Sequence, residues 1–328
     1  MRRIVITDYP GVLQRDLDYE KKRILASLEE TQVEVIPYEN PEEWIRAVGN
    51  AEALLTAFLP INGTVMDAIP GLRCIVLNAS GYENIDLDAA TRRQIAVIPI
   101  EEYCTEEVAE HTLALILALS RGLKHYGKDI DEQYKWQYAD IQGLHRLRGQ
   151  TLGIAGFGKI GRRVGKLADA FGMRILVYSP TGKTHSEEDY PVRFVSAEEL
   201  FAKSDVITNH MAIGKDHFHF FDEGAFQRMK KHPLFINVGR GAAVEETALV
   251  KALQSGWIRG AGLDVLESEK PDLKKSGLTG REDVILTPHS AFYSEESLRA
   301  LQDISCDNLV HFCKGEWDQV HRIVNKIM

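Results

Sequence analysis

The sequence predicts an α/β protein made of two parallel-sheet domains, and three observations support that prediction. Short apolar runs alternate with amphipathic stretches along most of the chain, which is the pattern of strands joined by covering helices. A glycine-rich turn at residues 156–161 separates one apolar run from a helix-like stretch. A chain of 328 residues is also long for a single hydrophobic core, so two domains are expected.

The first hundred residues predict one α/β unit. Predicted strands cover residues 3–8, 32–37, 53–58, 72–77 and 96–100, and predicted helices cover 17–28, 41–48, 63–69 and 88–94. Because strands and helices alternate, we expect a parallel sheet with helices on both faces.

Two different segments follow this unit. Residues 106–123 predict a long helix that is apolar nearly all round, which indicates burial. Residues 124–150 are polar and aromatic, with Tyr134, Trp136 and Tyr138 among them. A solvated arm and an arm that packs against a second subunit are both open interpretations, since interfaces are enriched in tyrosine and tryptophan.

Residues 151–182 predict a strand, a glycine turn, a helix and a second strand. Gly156 can supply the tight turn, Gly158 lets the backbone approach a pyrophosphate, and Gly161 lets the helix pack close to the strand. The N–H groups and the dipole of the helix would then hold the phosphates. In this setting the pattern favours a dinucleotide site over an ordinary turn.

The rest of the chain predicts a second α/β unit and a final helix. Predicted strands cover 152–157, 174–178, 193–195, 205–210, 233–238, 260–265 and 283–287, and predicted helices cover 197–202, 223–230, 246–255 and 294–315. We expect the last helix to pack on the first unit. The predicted domains are therefore 1–101 plus 291–328 and 102–290, with a ligand cleft between them.

Three polar residues follow separate predicted strands, and together they suit the reduction of a 2-oxo acid. Arg240, Glu269 and His289 would share one edge of a parallel sheet. Taken singly, Arg240 could be an ordinary surface cation, Glu269 a loop carboxylate and His289 a turn histidine. Together, the guanidinium binds a carboxylate, the histidine donates a proton, and the glutamate raises the histidine pKa.

The sequence resembles the D-isomer-specific 2-hydroxyacid dehydrogenase family over nearly its whole length. The matching motifs, in order, are SGYENIDLDAA (80–90), EEVAEHTLALILALSR (106–121), GIAGFGKIGRRV (153–164), INVGRGAAVEETAL (236–249), GAGLDVLESE (260–269) and TPHSAFYSEES (287–297). The resemblance implies a split substrate-binding domain, an inserted NAD(P)-binding Rossmann domain, and a homodimer packed through the helix that begins near Val108.

The resemblance also implies roles for single residues. Arg240 would bind the substrate carboxylate and carbonyl, His289 would act as acid and base with Glu269 as its partner, and the backbone at Ser80 and Gly81 would bind the carboxylate. Phe58 is a candidate for the acyl pocket, although ordinary packing is equally open. The residues predicted to bind the cofactor are Gly156, Gly158, Lys159, Ile160, Gly161, Ser179, His210, Val238, Gly239 and Asp264, the last at the nicotinamide carboxamide.

Ser179 departs from the family pattern in a way that bears on the cofactor. Many members carry an aspartate there, which binds the ribose 2′-OH and repels a 2′-phosphate. Ser179, Thr181 and Lys183 could contact a phosphate, and the nearest acids, Glu187 and Glu188, lie well past the strand. We expect NAD or NADP, with NADP slightly favoured.

Other functions and sites fit the sequence less well. A dinucleotide-sensing interaction protein of the co-repressor kind is the main alternative to an enzyme. Formate dehydrogenase fits less well, because that branch of the family has glutamine in place of Glu269. His217 and His219 alternate with phenylalanines, so we expect a polar and aromatic loop there and no metal site; His111 is expected to be a satisfied core histidine.

Composition and charge exclude several classes of partner. The net charge of −9 argues against a nucleic-acid surface. No apolar run is long enough to span a membrane, and the first residues do not form a signal peptide. The four cysteines are scattered, which favours a cytoplasmic protein without disulfides or a metal.

Overall fold

The computed structural model describes residues 1–182, 185, 188–212 and 217–327. The chain divides into two compact units, the first comprising Met1–Tyr103 with Ser294–Met328 and the second Cys104–Tyr293. Within the described residues each unit contains one sheet, and all the strand pairs of both sheets are parallel. The predicted α/β class with two parallel-sheet domains is confirmed.

The first unit contains a five-stranded sheet in its described part. Its elements are β1 Arg2–Ile6, α1 Leu17–Leu25, β2 Thr31–Val35, α2 Pro41–Val48, β3 Ala53–Thr56, α3 Gly63–Asp67, β4 Cys74–Leu77, α4 Leu87–Arg92 and β5 Ala96–Ile98, to which the final helix α11, Glu295–Lys314, is added. The strand order is β2-β1-β3-β4-β5, which is the flavodoxin-like order of doubly wound sheets. Strands β3 and β4 are buried throughout because helices cover both faces.

Local sequence signals explain where two helices of this unit begin. Asn40 caps α2 by accepting hydrogen bonds from the N–H groups of Glu42 and Glu43, and proline occupies the first helical position. Ser294 and Ser297 form a capping box at the start of α11. Helix α11 packs against α1, where the Arg23 guanidinium lies 2.7 Å from an Asp307 carboxylate oxygen.

The second unit begins with two helices and continues as a seven-stranded sheet in its described part. Its elements are α5 Thr105–Ser120, α6 Leu123–Gln133, β6 Thr151–Ala155, α7 Lys159–Ala170, β7 Arg174–Tyr178, β8 Val192–Phe194, α8 Ala197–Lys203, β9 Val206–Asn209, α9 Glu223–Gln227, β10 Leu234–Asn237, α10 Glu246–Gln254, β11 Gly260–Leu263 and β12 Val284–Leu286. The order β12-β11-β10-β9-β6-β7-β8 is that of a dinucleotide-binding fold with one additional strand.

The segment after α5 differs from its prediction. Residues 123–133 form helix α6, whereas the sequence predicted only a polar and aromatic arm. Gly122 and Tyr134, which flank α6, both adopt the left-handed conformation and so separate it from its neighbours. Tyr134, Trp136 and Tyr138 are exposed on the single chain. Among the described residues, no helix has the length and apolar character needed to cross a membrane.

Candidate active site

The glycine turn lies where the order of the second sheet reverses. Strands β6 and β9 are neighbours, and the chain leaves β6 through Gly156, whose φ angle is +92°. A Cβ atom at Gly156 would lie 2.8 Å from the carbonyl carbon of His210 and from the nitrogen of Met211. Only glycine tolerates both this backbone angle and this close approach. Ligands bind at such reversal points in open α/β sheets.

The next two glycines of the turn have different surroundings. Gly161 packs against the strand end, so that a Cβ there would overlap the carbonyl oxygen of Gly156. Gly158 faces open space, with no atom within 4 Å of the position its Cβ would take. Lys159 and Ile160 begin α7, and no side chain caps that helix. An uncapped helix start beside an open glycine can bind a phosphate through its N–H groups.

His210, which follows β9, is half-buried, and its two ring nitrogens are buried without a hydrogen-bond partner in the described part of the chain. Burial lowers the pKa of His210 to about 3, so the imidazole is neutral. A neutral imidazole offers one donor and one acceptor, and leaving both unused inside a protein is costly. A polar ligand at the glycine turn would satisfy them.

Ser179 directly follows β7, and β7 is the strand that pairs with β6. Its Oγ is 3.1 Å from Oγ1 of Thr181, so the two hydroxyls form one exposed polar pair. Lys183, also considered for the phosphate, lies outside the described residues, as does Glu187. Glu188, the other nearby acid, forms an ion pair with Arg162 at 3.0 Å. In the described part of the chain, therefore, no carboxylate takes the position after β7 where many family members have an aspartate.

Two buried asparagines shape the loops after β9 and β10, and the sequence analysis did not identify them. Asn209 and Asn237 are paired in register on neighbouring strands, and Nδ2 of Asn209 donates to Oδ1 of Asn237 at 2.9 Å. Oδ1 of Asn237 also accepts from the N–H of Gly239 at 3.2 Å, while its Nδ2 donates to the carbonyl of Arg240 at 3.1 Å. The sequence does contain a signal for this pair, since β9 and β10 are apolar strands that each end in an asparagine.

Arg240 is held by this asparagine pair at the end of β10. Val238 beside it is buried, and Nη1 of Arg240 donates to the carbonyl of Gly239 at 3.0 Å. The hydrogen bond between His289 and Glu269 is the main cause that lowers the pKa of Glu269 and raises that of His289; the positive charge of Arg240 adds to the first effect and opposes the second. The guanidinium of Arg240 therefore lies close enough to Glu269 and His289 to act on the charge of each.

Asp264 anchors the turn that carries His289. Its buried carboxylate accepts from Oγ1 of Thr287 at 2.6 Å, from the N–H of Ser290 at 2.9 Å and from the N–H of Ala291 at 3.0 Å. The backbone carbonyl of Asp264 accepts the N–H of His289 at 2.8 Å. The structure thus gives Asp264 a structural task in addition to the cofactor contact that the resemblance implied.

His111, on α5, extends the same network. Its Nε2 is 3.0 Å from Oγ1 of Thr287 and 3.7 Å from Oδ1 of Asp264. Because the Thr287 hydroxyl donates its one proton to Asp264, His111 must donate to Thr287. His111 was expected to be a satisfied core histidine; it is hydrogen-bonded but half-buried, and its partners belong to the loop of His289.

His289 and Glu269 form a hydrogen-bonded pair, with Nδ1 of the histidine 2.8 Å from Oε2 of the glutamate. The bond to Glu269 raises the pKa of His289, against the opposing effect of burial, and the same bond lowers the pKa of Glu269. His289 adopts a left-handed backbone, with φ +50°, which is uncommon for a residue with a side chain. The pair presents a protonatable imidazole fixed by a carboxylate.

The remaining predicted residues lie in the first unit. Ser80 is exposed, and Gly81 is half-buried beyond the end of β4. Phe58 is exposed after β3, and its N–H donates to the buried carboxylate of Asp8 at 3.1 Å. Asn78, directly after β4, is buried, and its amide has no partner in the described part of the chain. Asn78 is a further polar candidate that the sequence analysis missed.

Comparison with known proteins agrees with this geometry. Residues 113–291 match the family model described as D-isomer specific 2-hydroxyacid dehydrogenase, NAD binding domain. A glyoxylate reductase from Korarchaeum cryptofilum is 36% identical over 276 residues, which cover 83% of this chain and 82% of that protein. The chain belongs to the D-isomer-specific 2-hydroxyacid dehydrogenase family.

Solved structures of other enzymes share the fold. A D-lactate dehydrogenase from Aquifex aeolicus, complexed with NAD and lactic acid, has a TM-score of 0.86 at 29% identity, covering 99% of this chain and 100% of that one. The acyclic imino acid reductase Bsp5, in complex with NADPH and D-Arg, has a TM-score of 0.84 at 25% identity, with the same coverage. The family member described here is an NAD(P)-dependent oxidoreductase that interconverts a 2-oxo acid and the D-2-hydroxy acid. The enzyme interpretation is thereby supported over the interaction protein.

Proposed function

We propose that this enzyme reduces small 2-oxo acids, glyoxylate first among them, with Arg240, Glu269 and His289 as its catalytic residues. The observation that carries the proposal is the 2.8 Å hydrogen bond between His289 and Glu269, in the electrostatic field of Arg240. Glyoxylate is chosen because the curated relative described above is a glyoxylate reductase, which covers 83% of this chain.

His289 supplies the proton in this proposal. Its Nδ1 is engaged by Glu269, so Nε2 remains to donate to the carbonyl oxygen of the substrate. When bound, NADH or NADPH would supply the hydride that the carbonyl carbon accepts. Glu269 stays ionised and stabilises the protonated imidazole until the proton is transferred. In the reverse direction, neutral His289 removes the hydroxyl proton of the hydroxy acid.

Arg240 binds and polarises the substrate. A guanidinium presents two parallel N–H donors that match a carboxylate, and its charge stabilises the alkoxide that forms at the carbonyl oxygen. The backbone of Ser80 and Gly81 is proposed to contact the same carboxylate, with Phe58 beside the acyl group. In a substrate as small as glyoxylate, these contacts account for most of its polar atoms.

The dinucleotide is proposed to bind at the glycine turn. The open space at Gly158 and the uncapped start of α7 suit its pyrophosphate, and His210 supplies an unused donor and acceptor beside it. Gly156, Gly161, Lys159 and Ile160 shape this turn, while Val238, Gly239 and Asp264 support the nicotinamide end. These residues fit a dinucleotide without requiring a metal.

NADPH is the proposed reductant. Ser179 and Thr181 offer hydroxyl donors to a 2′-phosphate, and the repelling aspartate is replaced by Ser179. The NADPH complex of the related imino acid reductase supports the same direction. Steady-state kcat/KM values for NADPH and NADH with glyoxylate test this proposal, and a clear preference for NADH would contradict it.

A homodimer in the cytoplasm completes the proposal. The exposed Tyr134, Trp136 and Tyr138 suit an interface, since aromatic side chains of this kind are enriched where subunits meet. Sedimentation equilibrium on the purified protein measures the mass directly. A monomer across micromolar concentrations would contradict the dimer.

The catalytic assignment is tested by Arg240→Ala and His289→Ala. Each variant should lose at least about 1,000-fold in kcat/KM for glyoxylate, because transition-state charge or proton transfer is removed. Binding of NADPH, followed by fluorescence titration, should remain close to that of the wild type. Full activity in either variant would overturn the assignment, and a parallel loss of NADPH binding would show that the fold had been damaged.

A further inference from the structure

Besides His289 and Glu269, a second histidine and glutamate, His219 and Glu267, form a hydrogen-bonded pair. Nε2 of His219 is 2.5 Å from Oε1 of Glu267, although 48 residues separate them along the chain. Glu267 is two residues before Glu269, the partner of His289. The expectation of a plain polar and aromatic loop at His219 is therefore incomplete, because Glu267 is its partner in three dimensions.

The segment that contains His219 lies alongside the turn that follows Arg240. The N–H of His219 donates to the carbonyl of Ala242 at 2.9 Å, and the N–H of Phe221 donates to the carbonyl of Ala243 at 2.9 Å. In return, the N–H of Glu245 donates to the carbonyl of Phe221 at 3.2 Å. One side of the Arg240 turn is therefore tied to residues 219–221.

The segment that contains Glu267 lies against the same turn. A Cβ at Gly241 would overlap the carbonyl oxygen of Leu266, so the two backbones are in direct contact. The N–H of Glu267 donates to Oε2 of Glu246 at 2.9 Å, at the start of α10. The turn after Arg240 is thus held by both segments, and the His219–Glu267 hydrogen bond joins those two segments.

The backbone conformation of His219 is one that its surroundings must maintain. His219 adopts φ +50°, a left-handed conformation that is uncommon for residues with a side chain, and its ring stacks on Phe218 with centroids 3.9 Å apart. Such conformations persist where surrounding contacts require them, and they cluster at functional sites. His289 has the same φ, so both paired histidines of this region share it.

We propose that His219 and Glu267 are positioning residues, whose hydrogen bond fixes the Arg240 turn and the segment of Glu269 relative to each other. This inference rests on the proposed function, because it assumes that Arg240 and Glu269 serve catalysis. Neither His219 nor Glu267 is required to touch the substrate. Small displacements of catalytic groups reduce turnover strongly, so a bond of this kind contributes to kcat.

The chain contains a closely matched control pair. His311 and Glu316, at the end of α11 in the first unit, are 2.7 Å apart, and their side chains are 28% and 39% exposed. The values for His219 and Glu267 are 30% and 36%. Removal of either pair takes away one histidine–glutamate bond of similar exposure, but only one of the pairs adjoins Arg240 and Glu269.

The experiment compares His219→Ala, Glu267→Ala, the double variant and His311→Ala in glyoxylate reduction with NADPH. We expect each variant of the first pair to lose about tenfold in kcat, with the KM for NADPH unchanged. The double variant should lose no more than either single one, since both remove the same bond. His311→Ala should keep the kcat of the wild type. His219→Gln, which keeps a donor near the position of Nε2, should recover most of the activity.

The pH profile provides a readout that a general loss of stability would not alter. Glu269, Asp264 and Arg240 are the charged groups that act on His289. If Glu269 is less well placed, the pKa of His289 should fall, and reduction should fail at a lower pH in His219→Ala than in His311→Ala. If His219→Ala does not fold, Glu267→Ala and His219→Gln decide the question in the same assay.

The two proposals fail in different ways. If His289→Ala is inactive while His219→Ala and Glu267→Ala match His311→Ala in kcat and pH profile, the positioning role is overturned and the proposed function stands. If His289→Ala and Arg240→Ala are active, the catalytic assignment itself is overturned. A tenfold loss in the first pair that His219→Gln does not recover would also contradict the proposed hydrogen bond.

Discussion

The carboxylate of Asp264 and the backbone N–H of Ala291 are 3.0 Å apart, and this hydrogen bond attaches the end of β11 to the turn that carries His289. With the bonds from Thr287 and Ser290, the buried carboxylate accepts three donors from one turn. A carboxylate in this position fixes the backbone on which the catalytic histidine is mounted. Replacing Asp264 should therefore affect stability and catalysis together.

Asp264→Ala should lower the free energy of unfolding by about 3 kcal/mol, because three donors, one buried and two half-buried, lose a buried acceptor. Thr287→Val removes only the hydroxyl donor and should cost about 1 kcal/mol. Urea unfolding of both variants, followed by circular dichroism, measures the difference. The kcat of Asp264→Ala should fall as His289 loses its support. An Asp264→Ala protein as stable as the wild type would refute the anchoring role.

Glu269→Gln should move the pH dependence of reduction to lower pH. Reduction requires protonated His289, so the rate falls as pH rises through the pKa of that histidine. Glu269 raises this pKa, and the loss of its negative charge removes most of that effect. The kcat for glyoxylate between about pH 5 and 10 measures the shift, with Glu316→Gln as the control. An unchanged alkaline limb in Glu269→Gln would count against the pair.

Two alanine substitutions in the glycine turn should separate folding from cofactor binding. Gly161→Ala should lower the melting temperature, because the added methyl group meets the carbonyl oxygen of Gly156. Gly158→Ala meets no protein atom within 4 Å, so the melting temperature should stay that of the wild type. Its methyl group would instead take space needed by the pyrophosphate, and the KM for NADPH should rise about tenfold. Unchanged KM in Gly158→Ala would place the phosphates elsewhere.

Ser179→Asp should reverse the proposed cofactor preference. A carboxylate at the end of β7 repels a 2′-phosphate and can bind a ribose 2′-OH. We expect kcat/KM for NADPH to fall about 100-fold, equivalent to about 2.7 kcal/mol, while the value for NADH is kept or rises. Ser179→Ala should lower the value for NADPH about fivefold, because one proposed hydroxyl donor to the 2′-phosphate is lost, and should leave the value for NADH unchanged. An equal loss with both cofactors in Ser179→Asp would indicate that residue 179 does not face the ribose.

Much of the architecture was predictable because it depends on local patterns. The apolar runs around Thr151–Ala155 and Leu234–Asn237 have the length and flanking residues of buried strands, and the structure places strands there. The glycine spacing at 156, 158 and 161 predicts a strand–turn–helix unit by itself, since backbone angles and close packing limit those positions to glycine. Helix α6 was missed because most of its residues are polar, although Leu123, Tyr126 and Ile130 recur at helical spacing.

The sequence by itself determined the strands, the glycine turn and the candidate residues Arg240, Glu269 and His289 at strand ends, since these depend on periodicity and on residue chemistry. Only the tertiary structure decided which side chains meet. The Asn209–Asn237 pair, the three donors of Asp264 and the His219–Glu267 bond join residues 20 to 50 positions apart. Such pairs follow from the order of the strands in the sheet and the packing of their loops, which no local pattern specifies.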